Sequence, residues 1–168
     1  MRLLALFVLA TAIVSGCVTS QEVKLDANDN NDILEAVFRH IARPEPKEME
    51  SSHSLNLVHH VYFVAFWGSD LKYKDPNPRL LERFRDFSVP VKPLSAASLK
   101  DFYAYDKATG ERGAIFYFQE ITRSWRHKAE VTVGLAPGGG LAGSTFAYRV
   151  VQRHGRWIVI SRKLKAIA

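Results

Sequence analysis

Residues Thr145 to Ile160 read TFAYRVVQRHGRWIVI, two β-rich runs on either side of Arg153-His154-Gly155-Arg156. A glycine beside a polar residue suits a tight hairpin turn, where at least one position takes a positive φ. Phe146, Tyr148 and Val150 alternate with Ala147, Arg149 and Val151, and Trp157, Val159 and Ser161 with Ile158, Ile160 and Arg162. One face of this hairpin is apolar throughout and the other is mixed, the pattern of strands packed on one side. The spacing places Trp157 in the core beside Val159.

Upstream of this hairpin the same signals recur. They predict strands at about 114 to 122, 129 to 135, 144 to 152 and 156 to 163, with Pro137-Gly138-Gly139-Gly140 as the loop between the second and third. Asp106-Lys107-Ala108-Thr109-Gly110 reads as a turn, Asp bonding the backbone ahead and Gly taking the positive φ. Pro90 and Pro93 confine any strand at 89 to 94 to an edge. The run 55 to 67 also fits a helical stripe, but its β-branched and aromatic residues favour a strand from Val58 to Trp67, buried on both faces. Two helices are expected. Ile33, Leu34, Val37, Phe38 and Ile41 form one stripe over 33 to 42, ended by Pro44 and Pro46. Asn77 followed by Pro78 starts the other, which is expected to run to about Phe87.

The N-terminus carries an address. Arg2 is followed by the apolar run Leu3 to Val14, broken only by Thr11, which is signal-peptide length and shorter than the ~20 residues that span a bilayer. Val14-Ser15-Gly16-Cys17 resembles the bacterial lipobox, and the resemblance implies cleavage before Cys17 and a diacylglycerol on its sulfur. The expected organisation is a signal peptide over 1–16, a lipidated tether over 17–31 rich in Asp and Asn, and one domain over 32–168. Val18 is not the aspartate associated with inner-membrane retention, so an outer-membrane location in the bacterial envelope is favoured for a Gram-negative host.

The order of helix, buried strand, second helix and long antiparallel strands resembles the NTF2-like cone. More narrowly it is similar to a family of bacterial exported domains carrying the motifs seen here at Ala36 to Arg39, Asp75 to Pro78, Asp106 to Gly110 and Tyr148 to Val159. The resemblance implies an α+β fold, with N-terminal helices packed on a curved, mostly antiparallel sheet. It brings no catalytic residues, because that fold hosts dehydratases, isomerases, carriers and interaction modules.

No motif specifies a reaction. Glu120 and Glu130 lie at equal distance from Trp125 on adjoining expected strands, and two carboxylates brought together raise one pKa, as general-acid work requires. The plainer reading pairs each with Arg123, Arg126 or Lys128, and like charges directly opposite are disfavoured in a sheet. Asp70, Asp86 or Asp101 as a base, with Tyr62 or Tyr117 polarising a carbonyl, has no supporting spacing. His53, His59 and His60 do not close around one ion on either a strand or a helix, so neither a metal site nor a cofactor is assigned. The Gly138 to Gly140 run lacks the Gly-Lys-Ser/Thr ending of a phosphate loop.

Charge is asymmetric. Residues 21–50 hold 8 acids and 4 bases, whereas residues 112–168 hold 2 acids and 10 bases. A basic sheet, with Arg153, Arg156 and Arg162 as its chosen contacts, suits anionic lipid, cell-wall polymer or an acidic protein. Nucleic acid does not fit the envelope. The reading is therefore a lipid-anchored binding or interaction module. A pocket on the concave sheet face, serving a small-molecule binder or an isomerase or dehydratase, is the alternative.

Overall fold

The computed structural model describes residues 30–42, 60–101, 103–136 and 143–167. The signal peptide, Cys17, most of the tether, His53, His59, the expected strand start at Val58 and the loop 137–142 lie outside the described residues.

Helix α1, Asn31–Ile41, follows from its apolar stripe: Ile33, Leu34, Val37 and Phe38 are all buried. Asp32 in its first turn and Arg39 and His40 in its last oppose the helix dipole with the favourable sign. Helix α2, Pro78–Glu82, begins as the sequence predicts, the Asn77 side chain accepting from the Arg79 N–H at 2.9 Å with Pro78 in the first turn. Its α-helical span stops at Glu82, five residues short of the expected end. Bonds from the N–H of Arg83, Phe84 and Phe87 to the carbonyl three residues back carry the chain onward. That tighter period sets Phe84 and Phe87 on one side, where both rings meet Phe38.

Among the described residues nine strands form one mixed sheet: β1 Val61–Trp67, β2 Tyr73–Lys74, β3 Val91–Pro93, β4 Ala97–Lys100, β5 Tyr103–Asp106, β6 Arg112–Trp125, β7 Lys128–Ala136, β8 Ser144–Arg153 and β9 Arg156–Ile167. The main order is β2-β1-β6-β7-β8-β9. Strands β6 to β9 make an antiparallel meander, while β1 runs parallel to both β6 and β3. β4 and β5 pair with each other, and β5 joins the start of β6.

This corrects the expected α+β class of helices packed on a mostly antiparallel cone. Of the described residues 57% are in strands and 17% in helices, only two helices are present among them, and the sheet is mixed. Much of the segment between Trp67 and Ala114 is strand. Four of its elements are two to four residues long, too short for an alternation to register in the sequence. The parallel pairings of β1 depend on where the crossover lands, which local pattern does not encode.

Alternation sorts the sheet into two faces. Toward α1 point Val64 and Phe66 of β1, Phe116, Phe118 and Ile121 of β6, Val131 and Val133 of β7, and Tyr148 and Val150 of β8, all in the main core. Phe38 of α1 is central to it, its ring centroid 4.5 Å from Phe84, 5.2 Å from Phe116, 5.4 Å from Phe87 and 6.1 Å from Tyr62. On the opposite side a smaller cluster of Val61, Phe63, Ala104, Ile115 and Ala136, with Leu94, Ala96 and Ala97 against it, covers only the β1 and early β6 end. β1 is thus buried on both faces, as its composition predicts, because the two cores meet across it.

Gly113 is required by this double cover: a Cβ there would stand 2.5 Å from both the Val61 carbonyl oxygen and the Phe63 ring. Beyond the smaller cluster the far side of β6 to β9 has no comparable cover among the described residues, and it carries the charged positions. Among the described residues no helix is long and apolar enough to cross a membrane.

Candidate interaction surface

The β8–β9 hairpin turns where the sequence places it. His154 and Gly155 both take positive φ, 49° and 75°, the geometry whose twist matches the flanking strands. Arg153 and Arg156 form the last cross-strand pair before the turn. From Ser144 to Ile167 there is no acid, and the bases are Arg149, Arg153, Arg156, Arg162, Lys163 and Lys165. β9 is the outermost strand on this side, and among the described residues it pairs only with β8.

Register decides which bases share a face. Arg149, Val151 and Arg153 of β8 lie opposite Ser161, Ile158 and Arg156 of β9, all on the side away from α1, as do Lys128 opposite Val151 and Glu130 opposite Arg149. Ala147 brings Lys163 to that same side. Arg162 instead faces Tyr148, on the helix-covered side, with its guanidinium 5.1 Å from the Phe146 ring centre. The three arginines singled out in the sequence are therefore split, two on the open face at the turn and one on the other. The shift comes from a ladder irregularity between Arg149 and Val150, which leaves Ile160 without a directly opposite residue.

Glu130 is the counter-charge on this face. Its carboxylate lies 3.4 Å from Arg149 Nε and 3.4 Å from Lys165 Nζ, long pairs in solvent that contribute little. Among the described residues no ion pair is made by Arg126, Lys128, Arg153, Arg156 or Lys163. Arginine directly across from arginine costs a few tenths of a kcal/mol to about 1 kcal/mol. β9 also exposes Ile158, Ile160, Leu164 and Ile167, the last at 75%. Trp157 and Val159 turn inward but sit at the rim, partly buried against the main core. Trp157 is thus less central than its alternation suggests.

Glu120 and Glu130 share the open face without facing each other. Glu120 lies opposite Thr132 and accepts from Thr122 Oγ1 at 2.8 Å, while Glu130 lies opposite Thr122. Of the other candidate acids, Asp70 and Asp86 are engaged at the surface. Asp70 is 3.5 Å from Lys74, and Asp86 accepts two bonds from Arg39 at 2.9 Å each, which holds its carboxyl below the ordinary aspartate value. Asp101 is exposed in a turn with φ 50°. Tyr62 faces α1 and its phenol is pushed up by burial, whereas Tyr117 faces the other way, its ring lying over Gly134. The residues proposed for a base and a carbonyl-polarising phenol are not brought together. Among the described residues no three His, Cys, Asp or Glu side chains are grouped as metal ligands, and His60 is exposed.

Three clusters escape the sequence reading. Arg83 bonds Asp32 and Glu35, and Arg39 bonds Glu35 and Asp86, tying α1 to the turns that follow α2. Asp106, 2% exposed, accepts from Lys92 Nζ, Thr109 Oγ1 and the Ala108 N–H, and Lys92 holds its carboxyl below the ordinary value. On the open side Tyr73 packs edge to face against both Trp67 and Tyr117, which meet each other tilted. Only the Asp106 turn had a local signal, its DKATG sequence; the partner of each group comes from a distant element.

No protein-family model, curated protein or solved structure matches the chain.

Proposed function

We propose that the chain is a lipid-anchored protein of the bacterial envelope, whose β domain is an interaction module meeting an anionic surface through the basic β8–β9 end of its sheet. The observation that carries this reading is the excess of base at that end: six bases and no acid over Ser144 to Ile167, with Glu130 of β7 lying against Arg149 and Lys165 and with Arg153 facing Arg156. A packed helix-covered side supports an interaction role over a pocket, because Phe38 and its four aromatic neighbours fill the space between α1 and the sheet. The buried polar residues among those described are Asn30, Asn31 and Asp106. Asp106 is committed to Lys92.

The anchor is tested at Cys17. Cys17→Ser is expected to leave an unprocessed, non-acylated precursor, read by intact mass of the membrane fraction; a mature wild-type species lacking acyl mass counts against the anchor. The surface is tested with the full chain in neutral-detergent micelles on lipid-coated beads. Retention on phosphatidylglycerol, but not phosphatidylcholine, is expected near 0.05 M salt and lost near 0.5 M, because exposed contacts are screened beyond about 10 Å at 0.1 M. Replacing Arg153, Arg156 and Lys163 with Gln is expected to weaken retention about tenfold with little change in stability. Retention indifferent to both salt and these changes refutes the reading.

A further inference from the structure

The β6–β7 and β8–β9 turns lie side by side at one end of the sheet. The Gln152 N–H donates to the His127 carbonyl at 2.9 Å, His127 Nδ1 lies 3.0 Å from Gln152 Oε1, and Lys128 stands opposite Val151. Two tips held this way present one surface. On it lies Trp125, at the end of β6 opposite Lys128, 77% exposed and the most exposed of the large hydrophobic side chains among the described residues. The same two turns carry Arg126, Lys128, Arg153 and Arg156, all exposed. No acid occurs from Ile121 to Ala129 or from Arg149 to Ile160.

We infer that this paired tip is a membrane-docking site, with the Trp125 indole seated among lipid head groups and the four bases on anionic lipid phosphates. The inference rests on the anionic-surface reading above and names the lipid and the residue that enters it. Charge complementarity selects an anionic partner. Tryptophan's amphipathic ring selects the bilayer interface, where such side chains concentrate, and basic groups next to a membrane gain from its negative surface potential. A protein partner fits less well. A stable protein interface buries about 1,200 Å² or more in total, and two narrow turns with one projecting ring offer a wedge where that contact needs a plane. The ladder bonds that clamp the turns together also keep the wedge oriented as the domain approaches the bilayer.

The test uses the full chain reconstituted into vesicles of phosphatidylglycerol or phosphatidylcholine, each with and without brominated acyl chains, and reads tryptophan quenching. Three tryptophans are present, Trp67, Trp125 and Trp157, so seating Trp125 alone is expected to remove up to about one third of the emission. That loss should occur in phosphatidylglycerol, fall away at high salt, vanish in Trp125→Phe and vanish when Arg126, Lys128, Arg153 and Arg156 are replaced with Gln. Equal quenching in phosphatidylcholine, or quenching that survives Trp125→Phe, overturns the docking site. If salt-sensitive retention on anionic beads persists in that case, only the tip inference falls; if retention is also absent, the broader reading falls with it.

Discussion

Replacing Phe38 with Ala is expected to lower the unfolding free energy by about 3 to 5 kcal/mol, the range for emptying a buried aromatic site. The ring is fully buried, and it joins α1 to the turns after α2 and to β1 and β6 through Phe84, Phe87, Tyr62 and Phe116. α1 cannot collapse into the gap without losing the Arg39 and Arg83 bridges at its surface, so relaxation recovers little. Trp157→Ala, on the rim of the same core, is expected to cost about half as much, since the loss scales with the apolar area removed from cover. Urea unfolding of both variants measures this. Equal midpoints would mean that the core is centred nearer β9 than α1.

Asp106→Ala is expected to cost roughly 2 to 3 kcal/mol, as for losing hydrogen bonds to a buried charge, and to change the acid side of the stability curve. The carboxylate closes the 106–110 turn and fixes Lys92 of β3 beneath it. The Lys92 ammonium, bonded to the carboxylate, holds the folded pKa of Asp106 below its unfolded value near 4. The stabilisation is therefore fully present above pH ~4 and is lost as pH falls through the lower folded value, where the carboxyl is protonated. Acid unfolding of wild type should show that loss below pH ~4, and Asp106→Asn should flatten it. An unchanged acid limb in Asp106→Asn would assign the acid sensitivity to other carboxylates, the Asp86–Arg39 pair foremost.

Much of the meander is legible because it is covered on one side only. Alternation from Phe146 to Val159 marks an inward and an outward row, and observed β8 and β9 begin at the expected residues 144 and 156. Asn77-Pro78 and Asp106 to Gly110 are legible for a different reason: their chemistry is local, a cap and a turn closed within a few residues. What depends on distant pairing is not legible. The parallel seats of β1 on β3 and β6 are set by a crossover, and β2 and β3 are too short to carry a period. The basic face shows the same limit at finer grain. Counting by twos puts Arg162 out of step with Arg156 and Arg153 only once the irregularity between Arg149 and Val150 is known, and a one-residue shift moves every later side chain to the other face. In the sequence Trp125 marks only the midpoint between Glu120 and Glu130. Its exposure, and the second turn packed beside it, come from the ladder.

The basic end as the membrane-facing surface is tested most directly by lysine acetylation footprinting of the full chain in phosphatidylglycerol and phosphatidylcholine vesicles. Lys128, Lys163 and Lys165 lie on β7 and β9, while Lys72 and Lys100, just before β2 and on β4, are also exposed but lie on the other part of the sheet. The expected result is acetylation slowed severalfold at the first three in phosphatidylglycerol alone, reversed by salt, with Lys72 and Lys100 unchanged. Protection of Lys72 and Lys100 instead, or equal rates at all five lysines in both lipids, would contradict it.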